Sequence, residues 1–183
     1  MSARTWAVAA GIAGLFANLS LVLFFAIDQP WRPQPYGTGW LGPVNDMLVV
    51  IQFALLVPVA VALRRGAAIA VPAMAAVVAL QLLLIVGVLS FEVEVIPVVA
   101  CFAVAVGWAF VVSRRAGLPR PAARLGTAVS VGYLAGLAIV LLALLLPWGS
   151  TAQWIVLAVG GLIGIFGYVG FGVWPLWLFK EER

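Results

Sequence analysis

The chain has 183 residues, of which 66% are apolar and only 9% are charged, and its mean hydropathy is +1.21. Soluble domains carry roughly 45–50% apolar and about 25% charged residues, so this composition excludes a soluble globular domain and intrinsic disorder. The net charge of +4 comes with no histidine and a single cysteine, Cys101, which excludes histidine-based catalysis, histidine metal sites and an internal disulfide.

Six apolar stretches of roughly 20 residues fit helices that cross a bilayer. They cover residues 6–27, 41–63, 67–89, 95–113, 126–147 and 154–178. The sequence therefore predicts an all-α protein, a single six-helix membrane domain over residues 1–183. Pro97 predicts that the fourth helix begins just after residue 94. Pro119 and Pro121 predict an irregular loop over residues 114–125.

The cations predict the orientation of these helices. Nine of the ten lie on one side of the predicted membrane: Arg4, Arg64, Arg65, Arg114, Arg115, Arg120, Arg124, Lys180 and Arg183. Arg32 alone lies on the other side. The positive-inside rule then predicts that both termini are cytoplasmic. Basic loops of this kind meet anionic lipid headgroups, so nucleic acid is not expected as a partner.

Four acids lie at the opposite, outer ends of the predicted spans: Asp28, Asp46, Glu92 and Glu94. An acid in this position is often solvated, and a lone amide in a membrane helix commonly links two helices. Here three amides lie on the order of 10–15 Å below the acids, at one common depth; they are Asn18, Gln52 and Gln81. We therefore expect polar groups of spans one to four to converge on one outward-open cavity: Asn18, Asn45, Asp46, Gln52, Gln81 and at least one of Glu92 and Glu94.

Aromatic side chains accompany this polar set. The segment 28–42 contains three prolines and three glycines, and its Trp31, Tyr36 and Trp40 form either an interfacial aromatic belt or a lid over the cavity. Phe91 and Trp108 are further candidates for pocket walls. Cys101 lies in an apolar run and is expected to be neither a nucleophile nor a ligand.

Three segments carry a resemblance to a known group of proteins. The segments are GPVNDMLVVIQFALLVPVAVAL at 42–63, LQLLLIVGVLSFEVE at 80–94 and FGYVGFGVWPLWL at 166–178. They resemble small uncharacterised bacterial polytopic membrane proteins, which implies a multi-pass protein of the bacterial cytoplasmic (inner) membrane and no particular activity. In architecture the chain is also loosely similar to integral-membrane terpene cyclases, which set acidic side chains in an aromatic-rich helical bundle.

Three functions remain open on these observations. The first is an intramembrane enzyme whose carboxylic acids protonate a lipophilic, isoprenoid-like substrate. Its catalytic candidates are Asp46, Glu92, Glu94 and Asp28, and its substrate-binding candidates are Asn18, Trp31, Tyr36, Trp40, Asn45, Gln52, Gln81, Phe91 and Trp108. The second is a binding or transport subunit for a small solute or an organic cation, and the third is a structural membrane subunit. None of the three calls for a metal or another cofactor, and all allow partner subunits or a homo-oligomer.

Overall fold

Six α-helices form the part of the chain that the computed structural model describes, residues 2–29, 39–114 and 117–179. Helix α1 continues into a π-helical turn, Phe24–Asp28, and α6 into a 3₁₀ turn, Trp174–Trp177. All six are long and apolar enough to cross a membrane, so this is a multi-pass membrane protein and the predicted fold class is confirmed. The helices are α1 Ala3–Leu23, α2 Leu41–Leu63, α3 Ala67–Ile85, α4 Phe91–Ser113, α5 Arg120–Ala143 and α6 Thr151–Val173.

Two helices begin earlier than their prolines predict. Helix α4 begins at Phe91, and Glu94 N already donates to Ser90 O in its first turn. The missing N–H of Pro97 therefore removes only one later hydrogen bond, which membrane helices tolerate. Helix α5 begins at Arg120 and contains Pro121 in its first turn, where a proline N–H would have no helical partner. The loop before α5 is correspondingly shorter than predicted.

The helices form a closed ring in chain order. Each packs against the next, and α1 packs against α6 to complete the circuit. Both described termini lie at one end of the ring, because Arg4 and Phe179 line the same surface groove. We call this the terminal end, and the end that carries Asp28, Ser90 and Ser150 the distal end. That the terminal end is cytoplasmic stays a prediction from the charge pattern.

Glycines bring α5 and α6 into close contact. A Cβ added to Gly136 would lie 2.6 Å from Gly164 Cα, and one added to Gly167 would meet the backbone of Tyr133. Backbones that approach this closely are typical of small-residue contacts between membrane helices. The contact holds Tyr133 and Tyr168 side by side at the centre of the ring.

Buried aromatic rings fill the ring from its centre to the terminal end. Phe102 packs between Phe53 and Phe171, at centroid distances of 5.3 and 5.2 Å. Trp108 and Trp174 lie closer to the terminal end, with ring centroids 5.7 Å apart. The two indole N–H groups donate to the carbonyls of Arg65 and Ala122, each at 3.0 Å. These contacts close the terminal half of the bundle.

Candidate acidic and aromatic cavity

A cavity of about 150 Å³ lies on the distal side of this aromatic core. Five of the six helices contribute to its wall. Helices α2, α3 and α4 contribute residues of their distal halves, α5 contributes a residue near its centre, and α6 contributes a residue of its terminal half. Its lining is a mixture of aliphatic, aromatic and amide side chains: Asn45, Val49, Val77, Gln81, Val98, Val99, Phe102, Tyr133 and Tyr168.

Gln81, one of the two amides in the lining, belongs to a buried amide–carboxyl pair. Gln81 Nε2 donates to Glu94 Oε1 at 3.0 Å, across the turn that joins α3 to α4. Glu94 is only 1% exposed and Gln81 8%. Gln81 Oε1 is buried and has no hydrogen-bond partner in the described residues. Within the described residues, the pair therefore leaves one buried acceptor without a donor.

Helical geometry explains why Glu94 enters the bundle and Glu92 does not. Successive residues of an α-helix are about 100° apart, so positions two apart point to nearly opposite sides. Because α4 already begins at Phe91, Glu94 is buried while Glu92 is exposed.

A second carboxyl group lies on α2. Asp46 is half-buried and accepts a hydrogen bond from the neighbouring Asn45 side chain. Ser20 Oγ in turn donates to Asn45 Oδ1 at 3.5 Å. Asp46 interacts electrostatically with both Glu94 and Tyr168. Two carboxyl groups, on the two helices that flank α3, thus act on the same small volume, and each makes it more favourable for a positive charge.

Three aromatic rings form the floor of the cavity. The Phe102 centroid lies 5.0 Å from that of Tyr133 and 5.1 Å from that of Tyr168, with which it stacks at 22°. Aromatic faces attract cations, and the attraction is larger where water is excluded. The floor therefore adds to the effect of the carboxyl groups.

The structure brings part of the predicted polar set together. Asn45 and Gln81 line the cavity, Glu94 lies behind Gln81, and Asp46 lies next to Asn45. The structure does not bring Asn18 and Gln52 there, contrary to our expectation for these two amides.

Asn18 and Gln52 instead lie where α1, α2 and α6 meet. Asn18 Nδ2 donates to the carbonyl of Val169 at 2.9 Å. Gln52 Nε2 lies 2.8 Å from the position that a Cβ on Gly14 would take. Because the glycines of α1 and α6 have no side chains, the two amides fit into this helix seam. Equal depth was therefore not sufficient to place them at one site.

The other predicted residues that the structure describes lie apart from the cavity. Trp108 follows Glu94 by fourteen residues, roughly 21 Å along α4, and donates to Arg65 O at the terminal end. Asp28 is buried at the end of the π-helical turn, outside the cavity lining. Trp40 and Phe91 are 55% and 63% exposed. Trp31 and Tyr36 fall outside the described residues, so their predicted role as a lid stays a prediction.

Sequence reasoning missed the aromatic floor. Phe102, Tyr133 and Tyr168 come from α4, α5 and α6, and only the polar groups of the first four spans were considered. A signal was present, since Tyr133 and Tyr168 lie in mid-span, where a phenol needs a polar surrounding.

A metal centre finds no support in the described ranges, where no three His, Cys, Asp or Glu side chains are grouped to hold an ion. Cys101 is a half-buried free thiol outside the cavity lining.

No protein-family model, curated protein or solved structure matches the chain. The resemblance to bacterial polytopic proteins and to terpene cyclases thus stays a prediction.

Proposed function

We propose that this protein binds a small organic cation inside the membrane, as the binding or transport subunit of a system in the bacterial cytoplasmic membrane. The observation that carries the proposal is the buried Glu94, which accepts a hydrogen bond from Gln81, an amide that lines a cavity with an aromatic floor. Ionisable side chains that face the interior of a membrane bundle commonly mark the path of an ion or substrate.

The charges of the surrounding helices support a cationic ligand. Helices α2, α3, α4 and α6 contain no lysine or arginine. The two arginines of α5, Arg120 and Arg124, lie in its first two turns at the terminal end. A buried carboxylate is costly unless a positive charge or hydrogen bonds compensate it. These helices supply Glu94 with one amide donor and no cation, so a cationic ligand supplies what they lack.

The size of the cavity favours a small ligand over an isoprenoid chain. A void of about 150 Å³ is comparable to an engineered protein cavity that admits benzene. A small organic cation fits within this volume, which favours the binding hypothesis over the cyclase hypothesis.

The test compares two ligands of the same shape and different charge. Purified protein in lipid nanodiscs is titrated by calorimetry with tert-butylammonium and, separately, with tert-butanol. We expect saturable one-to-one binding of the cation and at least about tenfold weaker binding of the alcohol, because only the cation pairs with the carboxyl groups.

Two results would contradict the proposal. Equal or tighter binding of tert-butanol would make the cavity a site for neutral solutes. Absence of binding of both compounds would favour the structural hypothesis. If the cation binds, its uptake into proteoliposomes distinguishes a transport subunit from a binding subunit.

A further inference from the structure

We infer that a groove between α5 and the 3₁₀ turn after α6 binds one phospholipid with an anionic headgroup, of the phosphatidylglycerol type. The groove lies at the terminal end of the bundle and shares no lining residue with the cavity. The inference is therefore independent of the proposed cation site.

The groove has an apolar lining with one cation. Its volume is about 420 Å³, and it is lined by Pro121, Arg124, Leu125, Ala128 and Trp177. The four residues of α5 are three and four positions apart, so they lie on one face of that helix. The 3₁₀ turn forms the opposite wall, and the hydrogen bond from Trp174 Nε1 to Ala122 O holds it against α5. Since Arg124 and Ala128 are exposed, the groove opens on the outer surface of the bundle.

The polarity of the groove changes with depth in the membrane. Ala128 lies one helical turn deeper than Arg124, roughly 6 Å along α5. Val131 continues the same face and is 53% exposed. Trp177 stands on the opposite wall, and tryptophan favours the interface between headgroups and hydrocarbon. A phospholipid has the same order of groups, with an anionic headgroup outermost and acyl chains below it. A free phosphate would match only the arginine.

The charge of Arg124 calls for an anion that the described residues do not supply. All their carboxylates belong to the distal halves of helices or to the distal turn after α1: Asp28, Asp46, Glu92 and Glu94. A guanidinium group binds phosphate through two parallel hydrogen bonds. Basic pockets beside membrane helices are typical sites for anionic lipid headgroups. The phosphate of a lipid lies at the membrane interface, where the first turns of α5 begin, so it is the anion that Arg124 meets.

The experiment compares phosphatidylglycerol with phosphatidylcholine of identical acyl chains. Full-length protein in a non-ionic detergent is titrated with each lipid, and native mass spectrometry gives the dissociation constant of the first bound lipid. The ratio of the two constants is the readout, since it cancels the contribution of the acyl chains. The same ratio is measured for Arg124→Gln. Arg65→Gln is the matched control, because Arg65 is also an exposed arginine of the terminal end but does not line the groove.

We expect wild type and Arg65→Gln to bind phosphatidylglycerol about fivefold more tightly than phosphatidylcholine, the effect of one arginine on one unit of lipid charge. Arg124→Gln should bind the two lipids within about twofold of each other. Glycerol 3-phosphate, which has no acyl chains, should bind the wild type at least about tenfold more weakly than phosphatidylglycerol.

Five results would overturn the inference. Equal affinities of the wild type for the two lipids would show that the groove does not select an anionic headgroup. A preference that persists in Arg124→Gln would place the headgroup elsewhere, and equal losses in the two arginine variants would reduce it to the general charge of this end. Glycerol 3-phosphate binding as tightly as the lipid would make the groove a site for a free phosphate ester. A preference that appears only in a Glu181→Gln/Glu182→Gln double variant would assign Arg124 to the chain's own C-terminal carboxylates. If Arg124→Gln does not fold, the wild-type ratio alone still decides.

Discussion

Neutralising Glu94 is the perturbation that bears most directly on the cation site. Glu94→Gln keeps the shape of the side chain and its acceptor oxygen, so the hydrogen bond from Gln81 Nε2 is retained. The variant therefore removes one negative charge and little else, and we expect it to fold.

The loss of affinity follows from the position of the charge. One amide group separates the carboxylate from the cavity, and with the 3.0 Å hydrogen bond between them a bound cation lies about 6 Å from Glu94. Two unit charges at about 6 Å attract by roughly 3 kcal/mol at an effective dielectric constant of about 20. Loss of that attraction weakens binding by about 100-fold.

The assay is calorimetric titration with tert-butylammonium, and the control is Glu92→Gln. The control makes the same chemical change on the same helix, but Glu92 is exposed, where water and salt screen its charge. We expect the control to change the dissociation constant by less than about twofold. An unchanged affinity in Glu94→Gln, or equal losses in the two variants, would refute the electrostatic reasoning.

Four further predictions concern packing, the thiol and the orientation. Gly136→Ala is expected to lower the Tm, because the new Cβ would lie within 2.7 Å of α6 backbone atoms. Its control, Gly161→Ala, is expected to leave the Tm unchanged, because that Cβ would meet nothing within 4 Å. Circular dichroism in detergent measures both melting temperatures. Trp174→Phe is expected to destabilise the protein by about 0.5–1.5 kcal/mol, because the indole hydrogen bond to the buried carbonyl of Ala122 is lost. Denaturant unfolding measures this. Cys101→Ser is expected to leave cation affinity unchanged in the same calorimetric titration, since the thiol does not line the cavity. A reporter fused to the C-terminus is expected to be active as a cytoplasmic fusion, because nine of the ten cations lie on that side.

Each of these predictions has a contradicting result. Equal melting temperatures for the two glycine variants would contradict the close α5–α6 contact. A Trp174→Phe protein as stable as the wild type would show that its indole hydrogen bond contributes nothing. Loss of cation binding by a folded Cys101→Ser variant would place the thiol in the site, and an externally located reporter would reverse the assigned orientation.

The fold was predictable from the sequence because the bilayer imposes simple rules. Apolar runs of roughly 20 residues must be helices in lipid, and the predicted span 41–63 coincides with α2. Helix ends were less predictable where prolines occur. Pro97 marks no boundary, since it lies inside α4, whereas Pro121 lies in the first turn of α5 and marks its start.

The candidate site was only partly predictable. The sequence shows how deep in the membrane a residue lies, but not how its helix is rotated about its own axis. Apolar residues occur on every side of helices such as α2 and α3, so no apolar stripe indicates which side faces the neighbours. Gln52 and Gln81 were assigned one depth, yet Gln81 lines the cavity and Gln52 enters the α1–α6 seam. The aromatic floor depends on contacts between distant spans, such as Phe102 with Tyr168, which no local pattern reveals.

The most direct test of a cation bound above the aromatic floor is a nuclear Overhauser measurement on the protein in nanodiscs. With trimethylammonium present, the proposed site predicts contacts from its methyl protons to the ring protons of Phe102, Tyr133 and Tyr168. These contacts should weaken strongly in Glu94→Gln and persist in Glu92→Gln. Bound trimethylammonium whose methyl protons contact only exposed side chains at the ends of the bundle, with none to these three rings, would contradict the account.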